Sequence, residues 1–383
     1  RIAVVGPANN SQNPSILFGG GGTITFAQNT DLNQSNGNGL IRVGEANKAT
    51  TLNMNAGSTL TAKRIQVANG TVNINGIDAT FTGSTSARGN SAIQIGVVGT
   101  VEEGYAPATF NLNSGSVVAL SGTVRPNAND EDRPYGQGVH GILFAVNPNS
   151  SSPTANPSLS GGTFNLNGGT LTTTDIYANP NATEDVTAKF VFNGGKLVVA
   201  AEATQEQLDS FITGFKDTAN NHVEIAAGGA FIDTGSIDTA NTNGTATIAS
   251  AMRGEGALTK LGSGTLVLAG ENTYTGGTVI NEGTLAGNVG GGRVTIAQGA
   301  TYALGGQNQN VAELAGPGRV DLGENALHVG SAANSSFAGT IEGAGSLVKE
   351  GSGELTLSGA NTYTGNTTVA VGTLRGNISG GAL

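Results

Sequence analysis

The chain has no cysteine, no tryptophan and little charge: Asp, Glu, Lys and Arg together make up 11% of its 383 residues. Without cysteine there is no disulfide and no thiolate metal site, which is compatible with a secreted protein that crosses an envelope unfolded and equally with a cytosolic one. Long apolar runs are missing as well. None approaches the ~18 residues needed to span a bilayer, so no membrane insertion by this segment is expected. The opening RIAVVG lacks the charged n-region and extended apolar core of a signal peptide. Basic residues are fewer than acidic ones, 17 against 27, and the net charge of −10 argues against nucleic acid or an anionic membrane as partner. Both ends, RIAVVG and SGGAL, read as cut from a longer polypeptide.

Titratable chemistry is equally thin. The three histidines are His140, His222 and His328, with no G-x-S-x-G elbow and no H-E-x-x-H pair. Neither an EF-hand loop nor the G-G-x-G-x-D calcium repeat occurs. Gly136-x-Gly138-x-x-Gly141 matches a dinucleotide fingerprint only formally, because it follows a Pro-rich acidic loop and precedes a strand where a helix is required. The four glycines at 19–22 are followed by no P-loop lysine and read as a turn. No catalytic, cofactor-binding or metal-binding residue is expected, and no cofactor.

What fills the space is turn-forming and strand-forming. Glycine occurs 62 times, and hydrophobic residues reach only 37%, below an ordinary globular average. Thr, Asn and Ser make up the difference, which favours many short strands joined by tight turns. Residues 2–6, 15–18, 23–26 and 40–44 are strand candidates. From residue 51 one phrase recurs: TLNMNAGSTL, TVNINGIDATF, TFNLNSGSVV, TFNLNGGTLT and KFVFNGGKLVV, beginning at 51, 71, 109, 163 and 189. Alternation within it puts Phe164 and Leu166 on one face and Asn165 on the other. The successive spacings of 20, 38, 54 and 26 suit a coil of roughly 20 to 26 residues, with the long ones carrying loops or extra coils. Similar phrases recurring one coil apart favour parallel stacking over hairpins.

Two stretches break the rhythm. Residues 124–160 form a long insertion rich in Pro and charge, with one strand expected at 142–146. Its Asp130, Glu131, Asp132, Arg133, Tyr135 and His140 are the best candidates for a contact loop, a weak cation site or the acid/base pair of a glycan-cleaving enzyme, against the plainer reading of a solvated loop with internal ion pairs. Residues 203–218 switch to helical period, with Leu208, Phe211, Ile212 and Phe215 at i, i+3, i+4 and i+7, and Thr204 with Gln207 resembles a capping box.

The longest repetition comes last. Residues 254–288 and 343–377 align without a gap at an offset of 89, and 21 of the 35 positions are identical. Leu266 and Leu268, like Leu355 and Leu357, alternate with residues that tolerate Glu354, so the leucines point inward. Ile280 and Val369 point inward by the same comparison. Tyr274 and Tyr363 sit in identical N-T-Y-T-G contexts and are expected to pack at a corner with the hydroxyl bonded, rather than to serve as sugar platforms. Lys260 and Lys349, the shared charges, are expected at a corner with solvated amines. The offset fits about four coils of ~22 residues.

These blocks, with G-x-G-x-L, L-x-L-x-G, N-T-Y-T-G and G-T-L in order, resemble the autotransporter-associated β-strand repeat, also called the passenger-associated transport repeat. The resemblance implies a right-handed parallel β-helix displayed outside a bacterium, at the cell surface or secreted by the type V route. The chain departs from a complete autotransporter in showing neither signal peptide nor translocator barrel. The expectation is an all-β, β-solenoid protein with one long loop insertion and one short amphipathic helix. Its N-terminal coils span 1–253, with insertions at 124–160 and 203–218, and the repeat-bearing coils span 254–383. Its expected role is a non-enzymatic structural or adhesive stalk that mediates surface attachment or self-association. The expected partners are copies of itself, as homo-oligomer or filament, or a surface or host glycan or protein. A glycan-active enzyme with its site near 124–160 and a filament segment are the alternatives.

Overall fold

The computed structural model describes residues 2–5, 15–18, 22–26, 31–34, 39–45, 47–83, 91–96, 106–121, 140–144, 161–180, 182, 186–237, 239–240 and 242–379. They divide into two compact units, Arg1–Val223 and Glu224–Leu383, each built as a parallel β-helix. Short strands follow one another around each coil, and each pairs in parallel with its counterpart one coil away. Between named strands the one antiparallel pairing among the described residues joins Ile2–Val5 to Ser15–Phe18. No described helix is long and apolar enough to cross a membrane.

In the first unit a coil reads Thr50–Asn55, Thr59–Ala62, Arg64–Val67, and the next begins at Gly70. Alternation fixes which side chains turn inward, and parallel register then stacks like on like. Ile41, Ile65, Ile93, Ile142, Ile176 and Ile212 form one column, each paired with the next and each fully buried. Phe110, Phe164 and Phe190 form another, with ring centroids 4.9 and 5.3 Å apart. Each such side chain contributes about 1.5–3 kcal/mol on burial, so stability accumulates coil by coil. Corners turn on glycine: at Gly70, with φ +125°, a Cβ would lie 2.1 Å from the Thr50 carbonyl oxygen of the coil below.

The outward Asn residues of the recurring phrase form two ladders. Asn73 donates to Asn53 at 2.7 Å, Asn111 to Asn73 at 2.7 Å and Asn165 to Asn111 at 2.8 Å. Beside it Asn75, Asn113, Asn167 and Asn193 donate in turn to Asn55, Asn75, Asn113 and Asn167. The sequence intervals between these stacked residues are 20, 38, 54 and 26. Every interval is therefore one coil, the long ones included.

The helix is shorter than its sequence pattern. It spans Gln205–Leu208, capped by Thr204 and Gln207 in the expected box. Leu208, Phe211, Ile212 and Phe215 are all buried. However, Ile212 belongs to the strand Ile212–Thr213, because pairing with Ile176 captures it before a second helical turn forms. The insertion contributes the strand Ile142–Phe144; the rest of the stretch expected to be a strand, residues 145 and 146, lies outside the described residues.

In the second unit three stacks can be followed coil by coil. Leu258–Leu261 pairs with Thr278–Ile280, which pairs with Arg293–Ile296, and Thr265–Leu268 pairs with Thr284–Gly287. The third stack holds the N-T-Y-T-G segment, which rests on Met252 and Gly254. In the second copy the equivalent N-T-Y-T-G rests on Ile341 and Gly343, in the stack that began with Thr265–Leu268. Glu354–Leu357, equivalent to Thr265–Leu268, stands in the stack that began with Leu258–Leu261. The 89-residue offset thus contains four coils and two further faces, because Ser346–Glu350 on the third stack lies between Thr340–Glu342 and Glu354–Leu357. A coil is nearer 20 residues than 22, and the second copy is turned by two sides of the three-sided cross-section.

Candidate functional site

Of the six loop residues singled out by sequence, Asp130, Glu131, Asp132, Arg133 and Tyr135 lie outside the described residues. His140 is described. It stands at the corner before Ile142–Phe144, where its Nδ1 meets Asp175 Oδ2 and its ring stacks on Tyr177, centroids 4.5 Å apart and planes within 6°. Asp175 is buried and collects further donors on Oδ1: the Gly141 N–H at 2.8 Å, Thr174 Oγ1 at 3.1 Å and Gln207 Nε2 at 3.3 Å. Gln207 also donates to Ser121 Oγ at 2.8 Å, so the helix is pinned to this corner by the same side chain that caps it. Burial pushes the Tyr177 hydroxyl above its usual range.

Sequence reasoning found His140, found Gln207 only as a helix cap, and missed Asp175 and Tyr177. No motif links them, because they come together only when coils of unequal contour length stack in register. The dyad orients an imidazole, and among the described residues the buried Nε2 has no hydrogen-bond partner. Ser91 Oγ, the nearby hydroxyl, accepts instead from the His140 backbone N–H at 3.0 Å. No cluster of three or more metal-ligating side chains exists among the described residues.

The doubled block resolves into three devices, each present twice. The first corrects the expectation for the lysines. Lys260 and Lys349 are 0% and 2% exposed, and their amines lie among backbone carbonyls. Lys260 Nζ donates to the carbonyls of Leu261 at 2.8 Å, Gly262 at 2.6 Å and, one coil on, Glu282 at 3.2 Å. Lys349 Nζ does the same with Glu350, Gly351 at 2.7 Å and Val371 at 3.4 Å. The glycine turn makes this possible by pointing successive carbonyls inward. Burial lowers the Lys260 amine to about 8, with the Asp233 and Glu282 carboxylates opposing; Lys349 is lowered by burial too, opposed by Glu350. At Gly372 a Cβ would lie 2.4 Å from the Gly351 carbonyl oxygen and 3.0 Å from Lys349 Nζ, so no side chain fits over the cage.

The second device is the motif asparagine, which joins three coils. Asn272 accepts from the Met252 N–H at 2.7 Å and donates to the Asn288 carbonyl at 2.8 Å; Asn361 accepts from Ile341 at 2.9 Å and donates to Asn377 at 2.6 Å. The third is the tyrosine. Tyr274 and Tyr363 are fully buried and their hydroxyls meet Thr278 Oγ1 at 2.8 Å and Thr367 Oγ1 at 2.6 Å. Burial pushes the Tyr274 hydroxyl up, against the lowering effect of the Thr278 hydrogen bond. The inward leucines Leu266, Leu268, Leu355 and Leu357 are buried as expected. The lysine and the motif asparagine of each copy reach neighbouring coils, and the tyrosine bonds the threonine four residues along the chain.

Comparison with known proteins agrees with this geometry. The family model described as Passenger-associated-transport-repeat matches residues 258–286 and 347–375. The chain is also similar to "Adhesin BmaC autotransporter" of Brucella suis biovar 1 (strain 1330), 31% identical over 425 aligned residues. That alignment takes in 98% of this chain and 11% of the relative, so the chain spans about a tenth of the relative's length.

Proposed function

We propose that this chain, an extracellular or cell-surface segment that carries two passenger-associated transport repeats of the kind found in autotransporter passengers, is a non-enzymatic adhesive stalk segment that mediates surface attachment or self-association. The observation that carries this is the use made of the polar groups the two copies share: lysine and asparagine hold one coil to another, and tyrosine is spent on a buried bond to the threonine four residues on. Such a unit supports length and rigidity, and leaves contact to the outward faces and inserted loops. The adhesin named above supports the adhesive part. Beads coated with the purified chain should attach to host cells or to one another more than uncoated beads do. Beads that attach to neither, with a chain that stays monomeric at high concentration, would contradict the proposal.

A second reading, a glycan-active enzyme with its site near 124–160, is favoured by one observation: the His140–Asp175 pair orients an imidazole at the base of that insertion. Incubation with a panel of polysaccharides decides it. Cleavage that His140→Asn abolishes would establish this reading over the first.

A further inference from the structure

The outward face of the first unit carries a regular grid. Four successive coils place the pattern Thr-x-Asn-x-Asn in register, starting at Thr51, Thr71, Thr109 and Thr163. Rows lie ~4.8 Å apart between strands, and positions within a row ~6.8 Å apart along each strand. All of these side chains are partly or fully exposed. The grid holds no charged residue; Lys189 on the following coil and Asp78 across the turn bound it. In a chain of net charge −10 such a neutral patch stands out.

The Asn ladders use one N–H and one carbonyl lone pair of each interior amide, which leaves every such Asn one donor and one acceptor for an outside ligand. The Thr51, Thr71, Thr109 and Thr163 hydroxyls make no hydrogen bond among the described residues. The ladder therefore accounts for the asparagines' mutual contacts but not for the row of threonines beside them. A charged ligand would find no countercharge here, and a protein partner would find no aromatic or aliphatic anchor. An uncharged polyhydroxyl polymer matches the face in both respects: it needs no ion desolvated, and it presents donors and acceptors along its length. Lying across the coils it would meet the same three side chains at each step, and weak contacts of ~1 kcal/mol would multiply by repetition.

We propose that the Thr-x-Asn-x-Asn face of the first unit is a docking surface for an extended, uncharged polysaccharide running along the stack of coils. This rests on the adhesive reading and names its ligand class. The test is co-sedimentation of the purified chain with insoluble cellulose and chitin, and with alginate-coated beads as an acidic polymer. The native chain should be retained on at least one neutral polymer and not on alginate. Thr71→Lys with Thr109→Lys, which leaves both Asn ladders in place, should weaken retention at least ~10-fold, while Ser336→Lys, exposed on the second unit, should not. If the double lysine variant does not fold, Thr71→Ala with Thr109→Ala replaces it, with an expected loss of about 3-fold or more. Retention equal to the native chain in the folded variant, or binding to alginate alone, overturns the proposal. Attachment to cells without binding to either neutral polymer overturns this inference and leaves the adhesive reading standing; no binding to cells, surfaces or polymers removes both.

Discussion

Ile280 and Val369 hold the same place in the two copies of the repeat, yet the first is fully buried and the second is 43% exposed. Both strands rest on a caged lysine, Ile280 paired with Lys260 and Val369 with Lys349. What differs lies above. Ile280 is covered by Ile296 on the next coil, whereas no described strand covers Val369. Val289 and Ile378 repeat the contrast, at 1% and 39% exposed. The motif thus specifies which way a side chain points, and the following coil decides whether it is buried. In a solenoid the hydrophobic contribution of a residue belongs to an interface between coils rather than to the repeat that contains it.

The sharpest way to break this comparison is the tyrosine. Tyr274→Ala should cost about 3–5 kcal/mol, as for other buried aromatic truncations. Tyr363→Ala should cost less, because residues 377 and 378 above it are themselves exposed. Hydrogen exchange of the amides in each copy measures both, and equal losses would mean that the overlying coil contributes nothing. The lysine cage comes next. Lys260→Met leaves three carbonyls without their donor, at a cost of about 1–3 kcal/mol near neutral pH, read from denaturant unfolding.

The same lysine carries a pH signature. Its folded pKa of about 8 lies below the ordinary 10.5, so the unfolded chain holds this proton more tightly. The group's contribution to stability is therefore flat below pH 8 and rises as pH climbs from about 8 towards 10.5. The stability difference between the native chain and Lys260→Met should grow over that window; a difference that shrinks there would mean the amine is held in its charged form. The smallest effect belongs to the uncovered edge. Val369→Thr should change stability by no more than ~0.5 kcal/mol, whereas Ile280→Thr should cost about 1–3 kcal/mol. Equal effects would show that Val369 is covered in solution.

How far each feature could be read beforehand follows from where its information resides. The recurring Thr-x-Asn-x-Asn phrase made the ladders' positions legible, because period-2 alternation and like-on-like register are properties of side chains in order. Whether an interval of 38 or 54 residues held one coil or two was not legible until Asn111 was found bonded to Asn73, and Asn165 to Asn111. The lysines went wrong for a definite reason. A lone cation in an apolar neighbourhood is expected to reach solvent, and its actual ligands are backbone carbonyls, which the sequence does not display. The helix was over-extended because an apolar spacing of three and four residues also suits a strand waiting to pair, as Ile212 does with Ile176. At the candidate corner His140 was found and Asp175 was not, since 35 residues of unrelated sequence separate them and only the stacking joins them.

The two-face advance between the two copies has a mechanical consequence. Were the offset a whole number of coils, every caged lysine and every buried tyrosine in a tandem array would line up along one edge, and that edge would be the stiff one. With four coils and two faces between copies, successive reinforcements fall on different edges, and three such spacings return to the first after fourteen coils. A tandem array at this spacing would resist bending alike in every direction, as a rope does whose strong strands are laid in a spiral.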